Sequence, residues 1–220
     1  LIVDRPQMIA QAADGLQWVG NDMYAPYDLG YPKDLAQRAQ DLEQAKSLLK
    51  QAGYDNNLTV KLTTSTSVSN GAPAAATVFA QQAKGAGVTV EVDEVTGDVF
   101  WTDGYLKYPF AMDNWGTRGY LVQAGFGTMP GAVYNETHWA ETNPEWVSLV
   151  EEAYATVDDA KRNELITQAA TLEYNEGGYI VYAFDMQVDA YSPKVMGSVP
   201  DFSGLASAAN NARYRLVSFA

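Results

Sequence analysis

The chain has 220 residues, 47% hydrophobic and 12% aromatic, enough apolar side chain to bury a sizeable core, which excludes a disordered chain. Its 27 acidic against 14 basic residues leave a formal charge of −13, which repels phosphate backbones and anionic lipid and argues against nucleic acid as a partner. With no cysteine, disulfides, thiolate metal sites and cysteine nucleophiles are excluded, and no run approaches the ~18 consecutive apolar residues of a membrane-spanning helix.

Leu1 to Arg5 lacks a signal-peptide profile and reads as the middle of an amphipathic segment, so the chain is expected to be a fragment, with any secretion signal or lipid anchor upstream. Asp41-Leu42-Glu43-Gln44 predicts a capping box, and Leu42, Ala45, Leu48, Leu49 and Ala52 follow at helical spacing up to a left-handed stop at Gly53. Leu58, Val60 and Leu62 alternate with polar residues as in a half-buried strand. A helix from about Pro73 to Lys84 and a second alternating run at Val88, Val90 and Val92 complete a βαβ unit, which implies a parallel strand pair.

Further on, Phe110 to Asn114 is a core strand in one of two readings taken up below. Asn143 as cap with Pro144 in the first turn predicts a helix carrying Trp146, Leu149, Val150, Ala153 and Tyr154 on one face. The next helix starts near Asp158, presents Leu165, Ala169 and Leu172 inward, and stops at Gly177-Gly178. Tyr179 to Phe184 reads as a buried strand, Asp189 to Tyr191 as a shorter one, and the segment from Met196 as loop-rich.

Little of this carries reaction chemistry. The only histidine, His138, has no second metal ligand at helical spacing and is expected to be a hydrogen-bonded loop residue. Gly125-Phe126-Gly127 lacks the third glycine of a dinucleotide turn, where Pro130 stands instead. Glu151-Glu152 and Asp158-Asp159 are expected to be solvated or helix-dipole charges. The exception is a stretch dense in aromatic residues and glycines around Asn114-Trp115-Gly116-Thr117-Arg118-Gly119-Tyr120. Glycines admit close backbone approach, aromatic faces bury apolar surface, and an arginine pairs a carboxylate, which together describe a binding cleft. The competing reading makes Trp115 ordinary packing at a strand end.

The order of motifs adds a resemblance. Val3-Asp4-Arg5-Pro6-Gln7, Leu29-Gly30-Tyr31, Asp41 to Lys46 with Ala52-Gly53-Tyr54, Gly87 to Val92, Asn114-Trp115-Gly116, Asn143-Pro144-Glu145, Thr156-Val157-Asp158 and Gly177-Gly178-Tyr179-Ile180 run in an order similar to the family-5 extracellular solute-binding proteins, the oligopeptide, dipeptide and nickel binders of ABC importers. The resemblance implies an α/β, periplasmic-binding-protein-like lobe with a mixed sheet flanked by helices. Residues 1–190 would be the second, cleft-forming lobe, and 191–220 a segment returning toward a first lobe. It further implies a binding protein, not an enzyme, without cofactor or metal, that captures a small molecule or peptide and docks on an ABC permease at the periplasmic or extracellular face of a membrane. A sensor or docking scaffold on the same fold is the alternative. Trp115, Arg118 and Tyr120 are the expected contacts, with Asn114 positioning the loop and Tyr134 as a further candidate. Peptide-binding members carry an aspartate after this tryptophan; none follows Trp115 here, and Arg118 inverts the charge, pointing to an anionic or neutral group on the ligand unless Arg118 is a surface cation near Asp113.

Overall fold

The structure, a computed structural model, describes residues 1–69, 71–186, 192–196 and 218–219. Helix α1 (Arg5–Ala12) starts inside the chain, because the Asp4 carboxylate accepts the Gln7 amide at 2.9 Å and Pro6 preorganises the first turn. A short strand β1 (Gln17–Val19) follows, unheralded in the sequence because three residues carry no usable alternation. Helix α2 (Leu42–Gln51) opens where the capping motif stands, with Asp41 accepting the Gln44 amide at 2.8 Å, and Gly53 ends it with φ +90°.

The βαβ unit consists of β2 (Leu58–Thr64), α3 (Ala72–Lys84) and β3 (Val88–Glu94), the strands paired in parallel from Leu58 opposite Val88 to Thr64 opposite Glu94. On the other side of β2, Thr63 donates to the Phe110 carbonyl and accepts from the Met112 amide. The predicted strand at Phe110 to Asn114 is thus a single parallel bridge, Thr63 to Ala111, and the chain beyond it is free to form a loop. That departure brings Asn114 and Trp115 out of the sheet.

The second half is helical. Helices α4 (Tyr120–Gly127), α5 (Pro144–Ala155) and α6 (Asp159–Glu176) bury Tyr120, Ala124, Trp146, Val150, Ala153, Leu165, Ile166 and Ala169 in the largest core cluster. Asp158 caps α6 by accepting the Lys161 amide, as its position implied. Two local expectations differ. Asn143 precedes α5, but its amide donates to the Trp139 carbonyl at 2.8 Å, closing the preceding 3-10 turn instead of capping the helix. Tyr154 is 52% exposed, its hydroxyl donating to the Leu121 carbonyl, so it lies at the rim of the face formed by Trp146, Val150 and Ala153.

The apolar run at Tyr179 to Phe184 forms a strand only at its end, where β4 (Ala183–Asp185) pairs antiparallel with β1 at the half-exposed edge of the molecule. Val181 and Tyr182 are held instead by carbonyls that accept the Asp22 and Gly20 amides at 3.1 and 2.9 Å. Val195–Met196 (β5) and Ser218–Phe219 (β6) form one further antiparallel pair; Asp189 to Tyr191 lies outside the described residues. Parallel and antiparallel pairings therefore fall in separate two-stranded sheets flanked by helices. Among the described residues no helix is long and apolar enough to cross a membrane.

Gly20 marks the tightest contact between the two crossing segments. A Cβ there would stand 2.4 Å from the Val181 carbonyl oxygen and 2.9 Å from the Ala183 nitrogen, both backbone atoms fixed by pairing. Gly20→Ala is expected to destabilise the protein by about 1–3 kcal/mol, read as a lower urea midpoint at unchanged m-value.

Candidate functional site

An open cleft of about 740 Å³ lies between the loop at 105–118, Glu136 and Thr137, and the segment at 178–185. Asn114, Trp115 and Arg118 line it. The Asn114 amide donates to the Val68 carbonyl, tying the cleft loop to the turn after β2, so this side chain positions the loop. Trp115 is half-buried, and its ring meets Tyr134 at 5.9 Å and 80° and lies over Gly127, where a Cβ would come within 3.0 Å of the indole. The exposed Arg118 guanidinium lies 5.3 Å from the Trp115 ring centre and 5.5 Å from that of Phe126. Its neighbours are aromatic faces, an arrangement that stiffens the rim.

Tyr134 is exposed and does not line the cleft, but its ring stands between Trp115 and Tyr105, at 5.9 and 6.3 Å. Tyr120 lies in the core, 2% exposed. The chain turns into α4 at this residue, whose amide donates to Asp28 at 2.8 Å, and the side chain is carried inward between α5 and α6. There its hydroxyl donates to Glu173 at 2.8 Å and accepts the Trp146 indole N–H at 3.0 Å. Its distance from the cleft follows from that turn, which a linear spacing from Trp115 does not reveal.

The structure adds a polar group that the sequence reading passed over. Tyr105 and Asp113, both from the loop at 105–118, and Glu136, from a distant segment, meet on the cleft wall. The Tyr105 hydroxyl donates to Glu136 Oε1 at 3.0 Å and lies 3.4 Å from Asp113 Oδ2. Burial, then the adjoining Asp113 carboxylate, raise the Glu136 pKa to about 8, against the Tyr105 hydroxyl and the nearby Trp115 indole N–H, which favour the ionised form. Burial and the same two carboxylates push the Tyr105 hydroxyl well above its ordinary value. Asp113 was in view beside Trp115; Glu136 carried no signal, because only folding brings its loop to the cleft. His138 is elsewhere, exposed, with φ +52° and its Nδ1 2.7 Å from Glu141, and among the described residues no three acidic or histidine side chains gather as a metal site.

A family model described as bacterial extracellular solute-binding proteins, family 5, middle region, matches residues 1–135. The chain belongs to this family. The match runs from α1 through the cleft loop with Asp113, Asn114, Trp115 and Arg118 and ends one residue before Glu136. No curated protein matches the sequence. Solved structures share the fold of this family-5 chain. The periplasmic binding protein DppA from Helicobacter pylori, in complex with peptide STSA, is similar with TM-score 0.77 and 19% identity over 99% of this chain and 42% of that one. The oligopeptide-binding protein AppA from Bacillus subtilis, in complex with a nonapeptide, gives 0.74 and 17% over 100% and 46%. AgaA from A.tumefacien R10, in complex with agropinic acid, gives 0.69 and 18% over 100% and 45%. The chain thus spans less than half the length of each of these.

Proposed function

We propose that this protein is the solute-binding component of an ABC importer, capturing a small solute, a peptide or a related compound, in a cleft between two lobes. The supporting observation is the open cleft of about 740 Å³ in a family-5 chain, walled by aromatic rings and a few convergent polar groups, the usual composition of a small-molecule site. Residues 1–190 are the cleft lobe in this reading, and 191–220 return toward the first lobe. Trp115 packs against the apolar part of the solute, Arg118 orders the rim, and Asn114 holds the loop. Tyr134 backs the Trp115 ring, while Tyr120 acts at one remove, by anchoring α4 in the core. The protein works outside the cytoplasmic membrane, associated with it through the permease or an anchor, and its role is binding, with no bond made or broken.

The test is intrinsic tryptophan fluorescence of the full-length protein titrated with dipeptides, longer peptides, opines and oligosaccharides. A saturable change is expected for one class, with Trp115→Ala weakening it by roughly tenfold or more, the scale of a buried aromatic contact. No saturable response to any solute, with the fold intact, would overturn the reading.

A further inference from the structure

The cleft wall holds two carboxylates whose partners are all neutral. Among the described residues, neither Asp113 nor Glu136 forms an ion pair; the seven that form involve other groups. The Asn114 backbone N–H donates to Asp113 Oδ1 at 2.7 Å, and the Tyr105 hydroxyl reaches Glu136 Oε1 and, more distantly, Asp113 Oδ2. Glu136 Oε2 has no partner of this kind. Two carboxylates gathered around one hydroxyl in a half-buried wall resist being ionised together. A second observation points outward from the pair. The Trp115 indole Nε1 is buried and makes no hydrogen bond of good geometry, yet lies near enough to Glu136 to favour its ionised form. Trp115 and Tyr105 line the cleft beside the pair, and Tyr134 backs both rings from outside it, its ring centre 5.9 Å from Trp115 and 6.3 Å from Tyr105. Aromatic faces and carboxylates at one place recognise an organic cation, through ring quadrupole and charge together. With two carboxylates and no third ligand, the group falls short of a metal site.

We propose that the cleft receives the ammonium or guanidinium end of its solute at Asp113 and Glu136, and that this cation replaces a proton held by Glu136. The proposal rests on the solute-binding reading above and names the chemistry of that site. The balance is one for one: the solute cation enters, one proton leaves to solvent, and the charge of the wall is unchanged. The other groups facing Glu136 are the Tyr105 and Tyr179 hydroxyls, both pushed above the ordinary range and so neutral in this window. Arg118 also lines the cleft, its guanidinium 5.3 Å from the Trp115 ring centre, and it forms no ion pair with either carboxylate. With Glu136 titrating near pH 8, affinity for a permanently charged cation is expected to rise about tenfold from pH 7 to pH 9.

The experiment titrates the full-length protein by calorimetry and Trp115 fluorescence with phenethylguanidine, phenethylamine, N-acetylphenethylamine and 3-phenylpropionate, beside the broad solute panel. The guanidine keeps its charge across the whole window. Expected are binding of the two cationic probes over the neutral and anionic ones, proton release seen as a buffer-dependent heat, and loss of the pH dependence in Glu136→Gln, with Asp113→Asn as the second, independent variant. If the best-binding solute is neutral or anionic, or its affinity is flat with pH, the proposal falls and the solute-binding reading stands. If no solute from either set binds, both fall.

Discussion

Asp22→Asn is expected to lower the stability of this protein by about 3–5 kcal/mol, because it leaves a buried guanidinium without its counter-ion. Arg5 is only 1% exposed. Its Nη2 stands 2.5 Å from Asp22 Oδ1, its Nη1 donates to the Arg38 carbonyl at 3.0 Å, and Arg38 Nε approaches Asp22 Oδ2 at 3.0 Å. One carboxylate therefore holds two cations and ties α1 to the loop between β1 and α2. Asparagine keeps the shape and tolerates the φ of +56° at this position, so the loss isolates the charge. Arg5→Met removes the buried charge while leaving Asp22 paired with Arg38, and is expected to cost less. Equilibrium urea unfolding of both variants decides the point, and a cost below about 1 kcal/mol for Asp22→Asn would show the cluster to be dispensable. Sodium chloride is expected to change the result little, since ions screen a buried pair weakly.

The second large effect is a fall in stability with rising pH, of about 3 kcal/mol, set by Glu173. This carboxyl is 3% exposed, and burial raises its pKa from 4.5 to about 7, only partly offset by the hydrogen bond from Tyr120 and the nearby Tyr24 hydroxyl. Between those two values the folded protein holds a proton that the unfolded chain has released. Stability contributed by this group is therefore complete below the unfolded value, falls as pH rises through the window, and levels off above about 7. Glu173 Oε1 is a buried atom without a hydrogen-bond partner, which a protonated carboxyl tolerates and a carboxylate does not. Glu173→Gln, uncharged at all pH, is expected to flatten this component and to unfold at higher urea than the parent at pH 8. An unchanged pH profile in the variant would assign the slope to other groups.

The βαβ unit, the helices from Pro144 and Asp159, and the starts at Asp41 and Asp158 were legible along the chain, because each rests on periodicity or a cap within a few residues. The motif order also carried the family, and Trp115, Asn114 and Arg118 do line the cleft. Tyr154 and the run at Tyr179 to Phe184 misled for a common reason. Apolar character states that a residue gains from burial, not that a neighbour is there to cover it, and both lie where the packing ends. Tyr120 and Glu136 exchange places in the same way. Tyr120 is near Trp115 in sequence, but the start of α4 turns it into the core, whereas Glu136 is distant and is brought by its loop to the cleft beside Asp113. By itself, then, the sequence determined the elements, the family and the loop that carries the aromatic wall. Only the tertiary structure decided which side chains share the cleft, because the burial and charge that shift Glu136 come from segments that meet only once the chain has folded.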